Sequence, residues 1–115
     1  MRLVNILAAL LLVTPAAAIA AESAFPARPI RILIPFPAGG STDLLARMVG
    51  QRLTDAWGQP TVPDNRVGAN AILASEIAAK SAPDGHTLLM VAIGHAANAS
   101  LYRKLPYDTL NDFSP

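Results

Sequence analysis

The chain has 115 residues, of which 52% are hydrophobic, 15% charged and 5% aromatic, with no cysteine and a formal net charge of +1. That balance excludes a disordered tail, a disulfide scaffold, a thiolate zinc site and a nucleic-acid binder driven by bulk charge. The apolar excess is concentrated in residues 1–20, and the rest has the ordinary composition of a globular domain with balanced charge.

Arg2 supplies a short basic start, and the apolar run over 3–13 is interrupted only by Asn5. Pro15 breaks that run. Ala16, Ala17, Ala18, Ile19 and Ala20 follow, and Ala18 with Ala20 fits an A-x-A-like cleavage site. The pattern predicts a secretory signal peptide over 1–20, cut after Ala20 or one residue later. An apolar core of about 11 residues is too short to anchor in a membrane, which takes ~20. No cysteine stands near the cut to carry a lipid. The expectation is export across the inner membrane as a product that is not membrane-anchored, with residues 21–28 as an N-terminal linker and 29–115 as the folded part.

Residues 29–34 (PIRILI) read as a strand, ended by Pro35. Its near-continuous apolarity fits burial on both faces, as in a parallel sheet. Residues 37–43 form a turn that opens into a helix, with Ser41 as the predicted N-cap and Asp43 adding negative charge in the first turn. Leu45, Met48, Val49, Leu53 and Ala56 recur at helical spacing and predict one buried stripe. Gly58 ends the helix where a left-handed residue is needed. A weak strand near Thr61 and Val62 is limited by Pro60 and Pro63. Residues 64–70 read as a polar loop, and 71–80 as a second, Ala-rich helix. Pro83, Asp84 and Gly85 signal a turn. Residues 86–93 read as a third strand, buried along most of its length. A loop from Gly94 and a short helix over 99–104 complete the pattern. His86 and Trp57 are placed at the surface and at the core margin.

The order β-α-β-α-β predicts an α/β fold with a parallel sheet and helices on its faces. Three strands with nothing to close the sheet are read as a fragment of a longer protein or a gene cut short.

Ligands of open parallel sheets bind beyond the carboxyl ends of the strands. Two segments fall there. One is residues 36–43, holding Phe36, Ala38, Gly39, Gly40, Ser41, Thr42 and Asp43. The other is residues 94–98, holding Gly94, His95 and Asn98. In the first, adjacent glycines let backbone N–H groups come close to a ligand. The helix start adds unpaired N–H groups and a positive dipole end, and two hydroxyls stand ready. The chemistry favours a carboxylate or phosphate, although Gly-Gly alone also makes a tight strand-to-helix turn. Neither G-x-G-x-x-G nor a Walker loop is present, so nucleotide binding has no support. No cofactor is implied, and no His-x-x-x-His or acidic cluster points to a metal. No G-x-S-x-G elbow and no paired carboxylates point to catalysis. Arg66 reads as structural or solvent-facing rather than ligand-facing.

Several linked motifs carry a resemblance. They are Arg28-Pro29-Ile30-Arg31, then Pro35-Phe36-Pro37-Ala38-Gly39-Gly40-Ser41-Thr42-Asp43, Asn65-Arg66 with Gly68-Ala69, Ala82-Pro83-Asp84-Gly85-His86-Thr87-Leu88-Leu89, and Leu101-Tyr102-Arg103-Lys104-Leu105-Pro106-Tyr107-Asp108. In this order and spacing, from about Pro26 to the last residue, the chain resembles the N-terminal part of the tripartite tricarboxylate transporter solute-binding proteins, the Bug family. The resemblance implies part of the first lobe of a type II periplasmic binding protein roughly three times this length. Such a receptor captures a small organic carboxylate and delivers it to integral membrane permease subunits. It also implies that the segment 36–43 meets the ligand carboxylate through backbone and hydroxyl groups, and that the segment 94–98 lines the cleft. Val67, Asn70, Ala71 and Ala74 depart from the family's usual Pro and glycines. Two other readings stand beside this one: an exported enzyme acting on a small anionic substrate, and a receptor fragment without function of its own.

Overall fold

The computed structural model describes residues 24–115. The predicted leader therefore lies outside the described residues. The elements run β1 (Ile30–Ile34), α1 (Ser41–Trp57), β2 (Thr61–Asn65), a short 3-10 turn (Ala69–Ala71), α2 (Ile72–Ala79), β3 (Thr87–Leu89) and α3 (Ile93–Leu101). The sheet is parallel, in the order β2-β1-β3. The α/β class and the β-α-β-α-β order are those read from the sequence.

β1 is central, which accounts for its continuous apolarity. Ile32 and Ile34 form a core with Ala46 of α1, edged by Phe36 and Met90. Leu33 points to the opposite face by strand alternation and is completely buried. α2 contacts both β1 and β3. Gly58 closes α1 in the left-handed conformation, with its N–H on the Thr54 carbonyl at 2.8 Å, as predicted.

α1 presents a different face from the one its apolar periodicity predicts. Leu45, Met48 and Val49 are each about half exposed or more, and the buried positions are Asp43, Ala46 and Gly50. The reason is close approach. A Cβ on Gly50 would lie 2.5 Å from the Thr61 hydroxyl and 3.2 Å from Ile32 Cδ1. Only small side chains fit between this helix and the sheet, so the bulky stripe turns outward.

β2 runs on through Pro63 rather than stopping there. Ile30 N–H bonds the Pro60 carbonyl and Arg66 N–H bonds the Ile34 carbonyl. Even-numbered positions of β2 therefore face β1, and Pro63 points its missing donor to the outside, as an edge strand tolerates. Arg31 and Arg66 both bond the Asp64 carboxylate, each through Nε at 2.8 Å. Arg66 is thus engaged in a structural ion pair.

The third strand is shorter than predicted, and the helix after it starts earlier. Only Thr87–Leu89 is strand, and α3 begins at Ile93. The segment 94–98 is accordingly the first part of α3 and not a loop. The apolar run Met90-Val91-Ala92-Ile93 looked like strand continuation, yet β1 ends its pairing with β3 at Leu33–Leu89. His86 is also not a surface residue. Phe25 packs edge-on against it at 4.9 Å and against Trp57 at 5.6 Å, and His86 is buried.

Candidate functional site

A parallel sheet places the carboxyl ends of all three strands at one edge. The segments following Ile34, Asn65 and Leu89 meet there. Two sets of hydrogen bonds join them. Asn65, the last residue of β2, donates from Nδ2 to the Phe36 carbonyl and to Asp43 Oδ1, both at 2.9 Å. Asn70 donates to Asn98 Oδ1 at 2.8 Å, and Asn98 donates back to the Asn70 carbonyl at 2.9 Å.

Asp43 organises the segment 36–43. Its side chain is only 2% exposed. Oδ2 accepts from the Gly39 N–H at 2.8 Å and from Arg47 Nε at 2.9 Å, while Oδ1 takes Asn65. The Arg47 hydrogen bond, with those of Gly39 and Asn65, holds the carboxyl well below the ordinary carboxylate range. Gly39 adopts φ +85°, a backbone conformation that suits glycine. The turn closes with the Gly40 N–H on the Pro37 carbonyl at 3.3 Å.

Gly40, not Ser41, occupies the N-cap, and no side chain caps the helix. The amides of Ser41, Thr42 and Asp43 lack a helical carbonyl four residues back. With no capping oxygen, they remain available at the sheet's carboxyl edge. The arrangement can hold an anion by hydrogen bonds from the backbone and the Ser41 and Thr42 hydroxyls. The Asp43 charge does not oppose this strongly, because Arg47 neutralises it one turn further along.

The predicted residues divide by position. Ala38, Gly39, Gly40 and Ser41 are exposed together, with Thr42 half-buried beside them. The half-buried Phe36 packs against the core, and its carbonyl serves Asn65. Asp43 and Asn98 are buried and fully bonded, so they position other groups. Gly94 is half-buried, and a Cβ there would lie 3.9 Å from Asn70 Oδ1. His95 is tied to the body of the fold. Its Nδ1 lies 3.0 Å from Ser75 Oγ, and its ring stacks on Tyr107 at 5.6 Å and meets Phe113 edge-on at 5.0 Å. Burial pushes its pKa below the usual histidine value. Asn65, Asn70 and Arg47 were missed as organisers. The i,i+4 spacing of Asp43 and Arg47 was a readable signal for one of them. Among the described residues, no three His, Asp or Glu side chains gather as a metal would require.

The turn before α2 is a run of left-handed residues: Ala69 at φ 46°, Asn70 at 53° and Ala71 at 68°. A non-glycine residue held there costs about 1–2 kcal/mol. Glycine returns some of that through unfolded-state entropy, about 0.4–1 kcal/mol. Ala71→Gly is therefore expected to stabilise the fold by about 0.5–1 kcal/mol. Asn70→Gly should do the opposite, because it leaves the buried Asn98 Oδ1 without its donor, a loss of about 1–3 kcal/mol. Urea unfolding of the two variants checks the opposite signs.

The geometry leaves backbone amides and two hydroxyls together at the carboxyl edge of a parallel α/β sheet, and comparison with known proteins gives the chain a family. The tripartite tricarboxylate transporter family receptor, TctC, matches residues 45–115. The chain belongs to this family. Protein BugT of Bordetella pertussis is 44% identical over 102 residues, covering 87% of this chain and 31% of that protein. The structure of the periplasmic binding protein BugD superposes with a TM-score of 0.75 at 32% identity, over 79% of this chain and 30% of its own. MatC from Rhodopseudomonas palustris, solved with bound malate, superposes with a TM-score of 0.72 at 40% identity, over 79% of this chain and 31% of its own. An R. palustris protein solved with adipate gives 0.74 at 39% identity, over 79% and 31%. The chain thus spans about a third of the length of the curated relatives it matches. The matched family is one of receptors, and BugD is a periplasmic binding protein. Among the described residues, no helix is long and apolar enough to cross a membrane.

Proposed function

We propose that this chain supplies the carboxylate-gripping part of a periplasmic receptor that captures a small organic carboxylate for a tripartite tricarboxylate-type transporter. One observation carries the reading: the uncapped start of α1, with Gly39 and Gly40 before it and Asp43 fixing the turn from behind. The ligand carboxylate accepts from the free amides of α1 and from the Ser41 and Thr42 hydroxyls. Ala38, Gly39 and Gly40 offer backbone without bulk, and Gly94 at the start of α3 flanks them. Phe36, Asp43, His95 and Asn98 hold this frame. The malate and adipate in the neighbouring structures support a carboxylate as the ligand class.

The function is capture without chemical change, followed by transfer to integral permease subunits. No nucleic acid and no cofactor takes part. In this reading the leader over 1–20 directs export and is removed near Ala20.

Titration calorimetry and thermal shift with malate, adipate, a tricarboxylate and a neutral diamide test the reading. Carboxylates are expected to release heat and raise the melting temperature, and the diamide to do neither. A diamide response equal to that of adipate, or silence from every carboxylate, overturns it.

A further inference from the structure

Asn98 is completely buried in α3, and its carboxamide is bonded at both ends. Its Nδ2 donates to the Asn70 carbonyl, a group that can only accept. That fixes which way the Asn98 amide points. Asn98 Oδ1 must then be an acceptor, and Asn70 must meet it with Nδ2. The orientation of Asn70 follows in turn. Its Oδ1 is the end left over, and among the described residues no donor reaches it. Asn70 itself is exposed. A Cβ on Gly94, at the start of α3, would lie 3.9 Å from this oxygen. A longer side chain at 94 would crowd it, and glycine does not.

The clasp does not account for the free oxygen, because it uses only Nδ2 and the Asn70 carbonyl. Asn70 stands in a left-handed run at φ 53°, between Ala69 at 46° and Ala71 at 68°. Glycine holds such a backbone without strain, and the resemblance implies glycine at position 70. Asn tolerates it better than most side chains do, but tolerance does not call for an open acceptor. The oxygen also contrasts with its surroundings. The start of α1, on the same carboxyl edge of the sheet, offers amide and hydroxyl donors, which suit a carboxylate. An amide oxygen repels a carboxylate and needs a donor opposite it.

We propose that Asn70 is a specificity-determining residue, whose Oδ1 accepts a hydrogen bond from a hydroxyl or ammonium group that the solute carries beside its carboxylate. The chain then prefers a hydroxy or amino acid to the unsubstituted acid of the same length. The shared chemistry is a donor on the carbon next to a carboxylate. The proposal deepens the carboxylate reading and rests on it.

The isotope-labelled 115-residue chain is titrated by NMR with succinate, malate and aspartate, which match in length and in their two carboxylates. All three are expected to shift the backbone amide signals of Ser41 and Thr42. Malate or aspartate, and not succinate, should shift the side-chain amide signals of Asn70. The solute that does so should bind at least about threefold tighter than succinate, the effect of one added hydrogen bond. A response to malate identifies the donor as hydroxyl, and one to aspartate as ammonium. Asn70→Gly should remove the preference. That variant also loses the clasp, so Gly94→Val supplies a second test. It crowds the oxygen with the clasp in place, and should bring the affinities together as well. Equal affinities for all three solutes overturn the proposal. So does an Asn70 side chain that answers succinate as strongly as malate and aspartate, because its Nδ2 then serves the carboxylate. A preference that either folded variant retains also overturns it. Each of these outcomes leaves the carboxylate reading standing. Silence of Ser41 and Thr42 toward every solute overturns that reading, and the proposal falls with it.

Discussion

Asp43→Ala is expected to lower the melting temperature by on the order of 10 °C and to weaken carboxylate binding at least about tenfold. The carboxylate is the single acceptor shared by the Gly39 amide, Arg47 Nε and Asn65 Nδ2. Its removal frees the β1–α1 turn from the helix and from the end of β2 together. Arg47 is half exposed and finds water, so the loss falls mainly on Gly39 and Asn65. Arg47→Ala should therefore cost much less than Asp43→Ala. The pH dependence follows with a definite sign. The folded carboxyl is held below its ordinary value of 3.8. The stability it contributes is therefore complete above about pH 4 and is lost as pH falls below 3.8 toward the folded value. Asp43→Asn should flatten that acid limb. Melting curves between pH 2 and pH 7, with a carboxylate titration at neutral pH, read all three effects. A variant that melts and binds like the parent would remove Asp43 from its organising role.

Gly50→Leu is expected to cost about 3 kcal/mol or more by overpacking, close to the whole stability of a small core. The space at Gly50 is filled by the Thr61 hydroxyl, which itself sits 3.3 Å from Thr54 Oγ1. Thr54 also receives the Thr61 N–H at 3.1 Å and donates to the Gly50 carbonyl at 3.0 Å. A leucine cannot enter without prising α1 from β1 and β2. Alanine is the informative intermediate. It gains about 1 kcal/mol in helix propensity but must displace Thr61. Pairing Gly50→Ala with Thr61→Ala should recover stability relative to Gly50→Ala alone. Urea unfolding of the four proteins in that cycle measures the coupling. A Gly50→Leu protein with parental stability would mean that α1 does not approach the sheet this closely.

The same glycine explains part of what the sequence concealed. Leu45, Met48 and Val49 have the spacing of a buried stripe, and hydrophobic periodicity registers only bulk. The contact with the sheet is made through Ala46 and Gly50, which periodicity scores as nearly silent. The central strand was legible because burial on both faces leaves a continuous apolar run at Ile32-Leu33-Ile34. The end of α1 was legible because Gly58 is a local requirement. The start of α3 was not. Met90 to Ile93 is apolar enough for a strand, and what stops the strand is where β1 ends, a fact held in another part of the chain. The site was half legible. Gly39, Gly40 and Ser41 announce a backbone cradle, but the fastening by Asn65 and the clasp between Asn70 and Asn98 join positions 22 and 28 residues apart in sequence. Asn70 and Ala71, where the resemblance implies glycines, have positive φ angles. There a side chain is carried at a cost, and at Asn70 the clasp offsets it.

The pairing of Asp43 with Arg47 leaves the cradle electrically quiet. A site that attracted anions by net charge would lose its hold as salt screened it over a Debye length of ~8–10 Å. It would also draw any phosphate or sulfate that diffused past. In the proposed binding mode the selecting groups are short-range amide and hydroxyl donors, and the nearest charges, Asp43 and Arg47, pair within one helical turn. In that mode such a cradle selects a carboxylate through directed donors and a local helix dipole rather than through net charge, and it keeps its grip when the ionic strength of its surroundings changes.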